Sequence, residues 1–186
     1  MSRIENLIKE KCPNGVEYKK IGDICKVARG RVMSKQYLAE HSGKYPVYSS
    51  QTENNGLFGK IDSYDFDGEY VQWTTDGAKA GSIFYRNGKF SVTNVCGLLM
   101  ILDEFKNSIS TSYLAYILGN VSKQYVNYAT SNPKLMSNVM ANIMVQIPPL
   151  EVQEEIVRIL DKFGELEAEL EAELEARKRQ YEFWRY

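Results

Sequence analysis

Four polar loops carry most of the groups in this 186-residue chain that could recognise or transform another molecule. Arg29-Gly30-Arg31 is followed by Ser34-Lys35, and residues 49–55 form a run of hydroxyls and amides that includes Gln51, Thr52 and Asn54. Thr74-Thr75-Asp76-Gly77-Ala78-Lys79 is a third cluster and Thr130-Ser131-Asn132-Pro133-Lys134 a fourth. Arginine and lysine can donate to guanine edges, glutamine and asparagine can bridge N6 and N7 of adenine, and all of them can hold phosphates. The residue types therefore predict phosphate or guanine contacts from Arg29, Arg31, Lys35, Lys79 and Lys134. They predict base-edge reading by Gln51, Thr52, Asn54 and Thr75. Trp73 and Tyr48 could join them, although on strands such rings more often fill a core. Polar loops are also ordinary protein surface, so no single cluster decides.

Catalytic constellations are not found in the sequence. An adenine methyltransferase would carry Asn/Asp-Pro-Pro-aromatic, and Asn132-Pro133-Lys134-Leu135 lacks the second proline and the ring. No strand leads through a GxG loop into a helix, and no GxxxxGK[ST] occurs, so a nucleotide or methyl-donor site is not expected. Glu17-Tyr18-Lys19 has the Glu-x-Lys of a nuclease cluster without an aspartate before it. Cys12, Cys25 and Cys96 form no CxxC pair and accompany a single histidine, His41, which argues against a zinc site. Cys96 with His41 could make a nucleophile and base, but a cysteine at the edge of an apolar strand reads as buried core. The expectation is no catalytic residue, no metal and no cofactor, with reduced thiols.

Something must position those loops. Asn14-Gly15, Asn55-Gly56, Asp67-Gly68, Asp76-Gly77 and Asn87-Gly88 supply turn dipeptides, and every glycine but Gly164 lies before Pro148. Between the turns, residues 45–48, 69–73, 82–85, 90–93 and 97–102 are rich in β-branched and aromatic side chains and read as strands. Asn87-Gly88, flanked by two of them, reads as a hairpin turn. Ser2 could cap a short helix, residues 111–126 have helical spacing, and residues 137–143 suit another helix. At Ile147-Pro148-Pro149-Leu150 the composition changes, and an apolar stripe follows in steps of three and four. It comprises Ile156, Ile159, Leu160, Phe163, Leu166, Leu170, Leu174, Tyr181 and Trp184. The predicted fold is α+β. Residues 1–148 form a mixed α/β domain of short strands and hairpins, and residues 149–186 a single long coiled-coil-forming helix. The thirty-seven positions 150–186 would extend about 55 Å as one helix, too long for the stripe to be covered by its own domain. A partner helix is expected on Ile159, Phe163, Leu166, Leu170, Leu174, Tyr181 and Trp184.

Charge divides the same way. The chain holds 23 Lys+Arg against 24 Asp+Glu, a net of −1 that at first argues against a nucleic-acid binder. Residues 1–149 hold 17 against 13, a net of +4, and residues 150–186 hold 6 against 11, a net of −5. Within the helix, residues 165–175 are acidic and Arg177-Lys178-Arg179 basic, so two copies packed antiparallel would set opposite charges side by side. With 44% apolar and 25% charged residues the composition excludes disordered, collagenous and disulfide-scaffold classes. No apolar run approaches the ~20 residues of a membrane span, and the N-terminus lacks a signal-like stretch, so a soluble cytoplasmic protein is expected.

At the level of motifs the chain resembles a known family. Gly15-Val16-Glu17-Tyr18-Lys19-Lys20-Ile21-Gly22-Asp23-Ile24 resembles the opening of a target recognition domain in specificity subunits of type I restriction-modification systems. Gln72-Trp73-Thr74-Thr75-Asp76-Gly77 through Gly81-Ser82-Ile83, with residues 92–97, is similar to that domain's core pattern. Residues 147–157 and 174–185 are similar to the entry and the end of the family's spacer helix. The resemblance implies a non-catalytic subunit that binds double-stranded DNA and docks methylating subunits and, through them, the restriction subunit. In the family two recognition domains and two antiparallel helices read a split site; this chain shows one of each. The resemblance therefore implies a natural half-subunit, or a piece cut at the first repeat; either way the helix stripe and its charges predict that two copies pair as an antiparallel homodimer. The alternative from residues alone is a coiled-coil scaffold that binds proteins and no DNA.

Overall fold

A reciprocal cap opens the first helix. The Ser2 hydroxyl accepts the Glu5 N–H at 3.3 Å, and the Glu5 carboxylate accepts the Ser2 N–H at 2.8 Å. The computed structural model describes residues 2–184; Met1, Arg185 and Tyr186 lie outside the described residues, and with the last two go the final positions of the expected helix and of its family-like closing motif. In chain order the elements are α1 (Arg3–Lys11), β1 (Glu17–Lys20), α2 (Ile21–Ile24), β2 (Cys25–Arg29), α3 (Lys35–Glu40), β3 (Ser42–Tyr48) and β4 (Leu57–Ile61). There follow β5 (Phe66–Thr74), β6 (Ile83–Val92), β7 (Cys96–Ile101), α4 (Thr111–Val121), α5 (Ser137–Ala141), β8 (Met144–Ile147) and α6 (Leu150–Phe183). The fold is mixed α/β with a long C-terminal helix, as the sequence predicts.

Six strands form one sheet in the order β2-β7-β5-β6-β3-β4, antiparallel except where β3 lies parallel to β6. Side chains alternate across it. Val71 and Trp73 of β5 pack against Leu114 and Leu118 of α4, Met140 of α5 and Leu135. Tyr70 faces the other side, among Phe90, Val92, Cys96 and Leu98. Beyond β2 and β6 the chain makes a parallel bridge from Arg31 to Thr93, so the sheet curls back on itself around this second core. The curl needs Gly30: a Cβ there would lie 2.1 Å from the Val92 carbonyl oxygen.

The Asn87-Gly88 hairpin of the sequence reading is corrected by the structure. β6 runs straight through these residues, with Asn87 opposite Glu69 and Gly88 opposite Gly68. Both glycines have positive φ (+88° and +122°), so two turn-type signals face each other within the strand pair without ending either strand. The β5–β6 turn instead spans residues 75–82.

β1 and β8 pair as a separate two-stranded sheet and deliver the chain to α6. The first turns of α6 bury Val152, Gln153 and Glu155, and α1 docks beside them through Lys11–Glu151 (2.8 Å) and Arg3–Glu155 (3.6 Å). Tyr116 of α4 donates to Asp161 at 2.5 Å. From Lys162 to Trp184 every residue is exposed, a free length of about 35 Å. No helix among the described residues is long and apolar enough to cross a membrane.

Candidate nucleic-acid interface

Asp76 gathers three of the four polar clusters at the mouth of the curl. Its Oδ2 accepts the Thr75 hydroxyl at 2.5 Å and lies 3.9 Å from Arg29 Nη2, while its Oδ1 lies 3.6 Å from Lys134 Nζ. Arg29 also donates to the Asn94 carbonyl at 2.7 Å. The chain of contacts continues through Thr93, whose hydroxyl lies 2.9 Å from that of Ser49 at the start of the second cluster. Residues far apart in sequence thus meet around Asp76, with the part-buried Thr93–Ser49 contact behind them.

Arg31 stands beside Thr93. Its Nε donates to both Asp65 oxygens at 3.0 and 3.2 Å, and its Nη2 to the Tyr37 hydroxyl at 3.1 Å. These bonds, the one to Tyr37 foremost, hold its pKa above the ordinary value. Lys35, at the first position of α3, and Lys79, in the turn after β5, are exposed. Arg29 and Lys134 share Asp76, and Arg31 pairs with Asp65, so the contacts themselves join three cations to two carboxylates.

The amide-bearing candidates divide. Gln51 is exposed, with its Nε2 donating to the Leu57 carbonyl, and Thr52 is half-buried ahead of the Glu53–Gly56 turn. Asn54 and Asn55 are exposed with left-handed φ of 47° and 52°. Thr75 is fully buried: its N–H goes to the Val95 carbonyl and its own carbonyl accepts the Leu135 N–H. The structure therefore corrects its assignment as a base reader, because the threonine fixes Asp76 and presents nothing to the surface. Trp73 is core, donating its indole N–H to the Leu135 carbonyl at 2.9 Å, and Tyr48 is half-buried.

Cys96 is buried, accepts from Gln72 Nε2 at 3.2 Å, and has its thiol pushed up to about 11 by burial. His41 lies elsewhere, stacked on Tyr37 with 4.1 Å between ring centroids. The two do not form a nucleophile–base pair. No cluster of three or more potential metal-ligating side chains occurs among the described residues. On α6, Ile159 is half-buried at the junction, while Phe163, Leu166, Leu170, Leu174, Tyr181 and Trp184 are exposed along the free length.

Comparison with known proteins adds the lineage. The sequence model for the type I restriction modification DNA specificity domain matches residues 13–176. The chain belongs to that family. A Mycoplasma pneumoniae protein named as type I specificity subunit S.MpnORF507P is 49% identical over 165 residues, covering 89% of this chain and 44% of the relative. The type I restriction enzyme MpnII specificity subunit of the same organism is 44% identical over 146 residues, covering 78% and 43%. The crystal structure of a type I system S subunit from M. genitalium shares the fold with a TM-score of 0.66 at 16% identity, covering 83% of this chain and 41% of that one. An HsdS subunit from Thermoanaerobacter tengcongensis gives 0.61 at 16% identity, covering 90% and 44%. The specificity domain thus spans about half the length of the curated relatives it matches.

Residue types alone do not reveal two members of this group in the specificity domain: Asp76, its hub, and Asn94, which offers its carbonyl from a turn between strands. Tyr128 is a 63% exposed aromatic near Lys134 in sequence. Tyr128 lies on a loop closed by Asn127 and Lys134, which exchange backbone bonds of 2.8 and 3.1 Å. Only the asparagine at each loop edge hinted at such turns.

Proposed function

We propose that this chain is the DNA-reading part of a type I restriction-modification complex and performs no bond chemistry itself. The head (1–148) reads one half of a split double-stranded site, and the spacer (149–186) pairs antiparallel with the helix of a second copy. Methylating subunits dock on this dimer and bring the restriction subunit with them. The observation that carries the reading is the convergence of Arg29 and Lys134 on Asp76, with the Asn94 carbonyl, at one end of the sheet. Family membership and the name of the MpnII relative support it. The exposed stripe on α6, flanked by acidic and then basic segments, supports the pairing.

The test is selection of bound duplexes from a random pool, with the methylating subunits present, followed by mobility shifts across a salt series. Enrichment of a bipartite site, with affinity falling steeply as salt rises, is the expected result. No duplex binding at low salt would overturn the reading and favour a protein scaffold.

A further inference from the structure

Arg86 places a cation inside the curl of the sheet. It is 3% exposed in the middle of β6. Its Nε donates to Gln72 Oε1 at 2.7 Å and its Nη2 to the backbone carbonyl of Asn55 at 2.8 Å. Its Cζ lies 3.6 Å from the centroid of the Tyr48 ring and 4.6 Å from that of Phe84. These partners are an amide, a carbonyl and two rings, none of them an anion. Burial lowers its pKa to about 10, which leaves it charged at neutral pH. A buried charge with no counter-ion costs stability that an apolar side chain of like size would not. Stability alone is therefore a poor reason for an arginine here.

The far end of the contact supplies a better one. Asn54, Asn55 and Gly56 have φ of 47°, 52° and 76°, three left-handed residues in succession, which chains seldom hold unaided. The Arg86 bond to the Asn55 carbonyl pins the middle of this run, and Gly56 leaves room: a Cβ there would meet Arg86 Nη2 at 3.1 Å. Gln72 is held in turn by Cys96 Sγ, which turns its amide oxygen toward Arg86. Two acceptors in different directions suit a planar guanidinium; an ammonium on a flexible stem would not hold both in fixed directions.

We infer that Arg86 is the positioning residue of the 51–55 loop: it fixes the loop backbone so that Gln51, Thr52 and Asn54 meet base edges in constant places. It therefore sets sequence discrimination and not overall affinity. The inference rests on the DNA-reading function proposed above. Arg86 itself touches no DNA.

The experiment uses the full chain and two duplexes, one selected from the random pool and one scrambled. Dissociation constants on both are measured for the unsubstituted protein, Arg86→Lys and Arg86→Met. The ratio of the two constants does not depend on the folded fraction, since misfolded protein lowers both affinities alike. Both substitutions should cut the ratio about ten-fold or more, the loss expected of at least one misread base pair, and leave scrambled-duplex binding unchanged. An unchanged ratio in Arg86→Lys would overturn the assignment. So would an unchanged ratio with a smaller salt slope, which would make Arg86 a source of charge, or failure of both variants to fold, which would make it purely structural. An unsubstituted protein that binds neither duplex, or both equally, would instead overturn the DNA-reading function.

Discussion

The side-chain oxygen of Gln153, in the first turn of α6, accepts the backbone N–H of Ser110 at 2.9 Å, just ahead of α4. Its Nε2 donates to the carbonyls of Ser108 and Pro148 at 2.8 and 2.7 Å, and the side chain is wholly buried. One glutamine thus ties the root of the helix to the head. Gln153→Leu keeps the volume and strands three backbone groups. It should cost about 2–4 kcal/mol, and thermal melts should fall by roughly 5–15 °C. An unchanged melt would mean that Val152 and the α1 ion pairs hold the joint alone.

Lys79 and Gln51 should fail in different ways. Lys79→Ala removes an exposed cation from the turn after β5, so all duplexes should bind more weakly and the salt slope should fall by about 0.9. Gln51→Ala should change which bases are preferred, at about 1–3 kcal/mol for the position it reads. Titrations on cognate and scrambled duplexes at several salt concentrations separate the two. Equal effects of both changes on both duplexes would remove the readout role of Gln51.

Leu170 and Leu174 are 67% and 53% exposed on the free length of α6. Replacing both with lysine should leave the head intact and yield a monomer, seen as a halved mass in light scattering with an unchanged melt. A variant that remains dimeric would move the interface elsewhere.

The joint should also be acid-sensitive. Hydrogen bonds from Arg158 hold the Glu155 carboxyl below its ordinary value of 4.5, with Arg3 adding to the effect. A carboxyl depressed on folding contributes stability that is complete above the unfolded pKa and is lost as pH falls through the folded one. Urea midpoints should therefore drop below about pH 4.5. Glu155→Gln should flatten that drop, and identical profiles for the two proteins would assign the acid sensitivity to other carboxylates.

Much of the scaffold is legible from local chemistry. Ser2 and Glu5 announce a cap, residues 69–73 carry strand-type side chains, and the apolar stripe after Pro149 leads to a continuous helix. Asn87-Gly88 misleads because its turn propensity is used inside a strand pair, where Gly68 matches it. β2 and β4 are missed because each borders the sheet with few buried positions, Cys25 alone in one and Ile61 alone in the other. The group around Asp76 is harder still. Arg29, Asp76 and Asn94 meet because β2, β7 and β5 are neighbours in the sheet, and Lys134 joins them by a bridge to Asp76, whereas a polar loop has the same composition whether or not it joins another. Arg86 is hidden for the opposite reason, as a charged residue reads as surface.

The free length of α6 also behaves as a coarse measuring stick. Each residue adds about 1.5 Å and turns the far end by about 100°. Four residues, the spacing from Leu166 to Leu170 and from Leu170 to Leu174, therefore add about 6 Å and overshoot a full turn by about 40°. Along duplex DNA that is a little under two base pairs at about 3.4 Å each. Under the two-headed arrangement, loss or gain of a single residue would swing one head away from the groove its partner faces. Length changes near four or seven residues would keep both heads aimed at the same duplex, so under the proposed pairing the gap between half-sites would shift in steps.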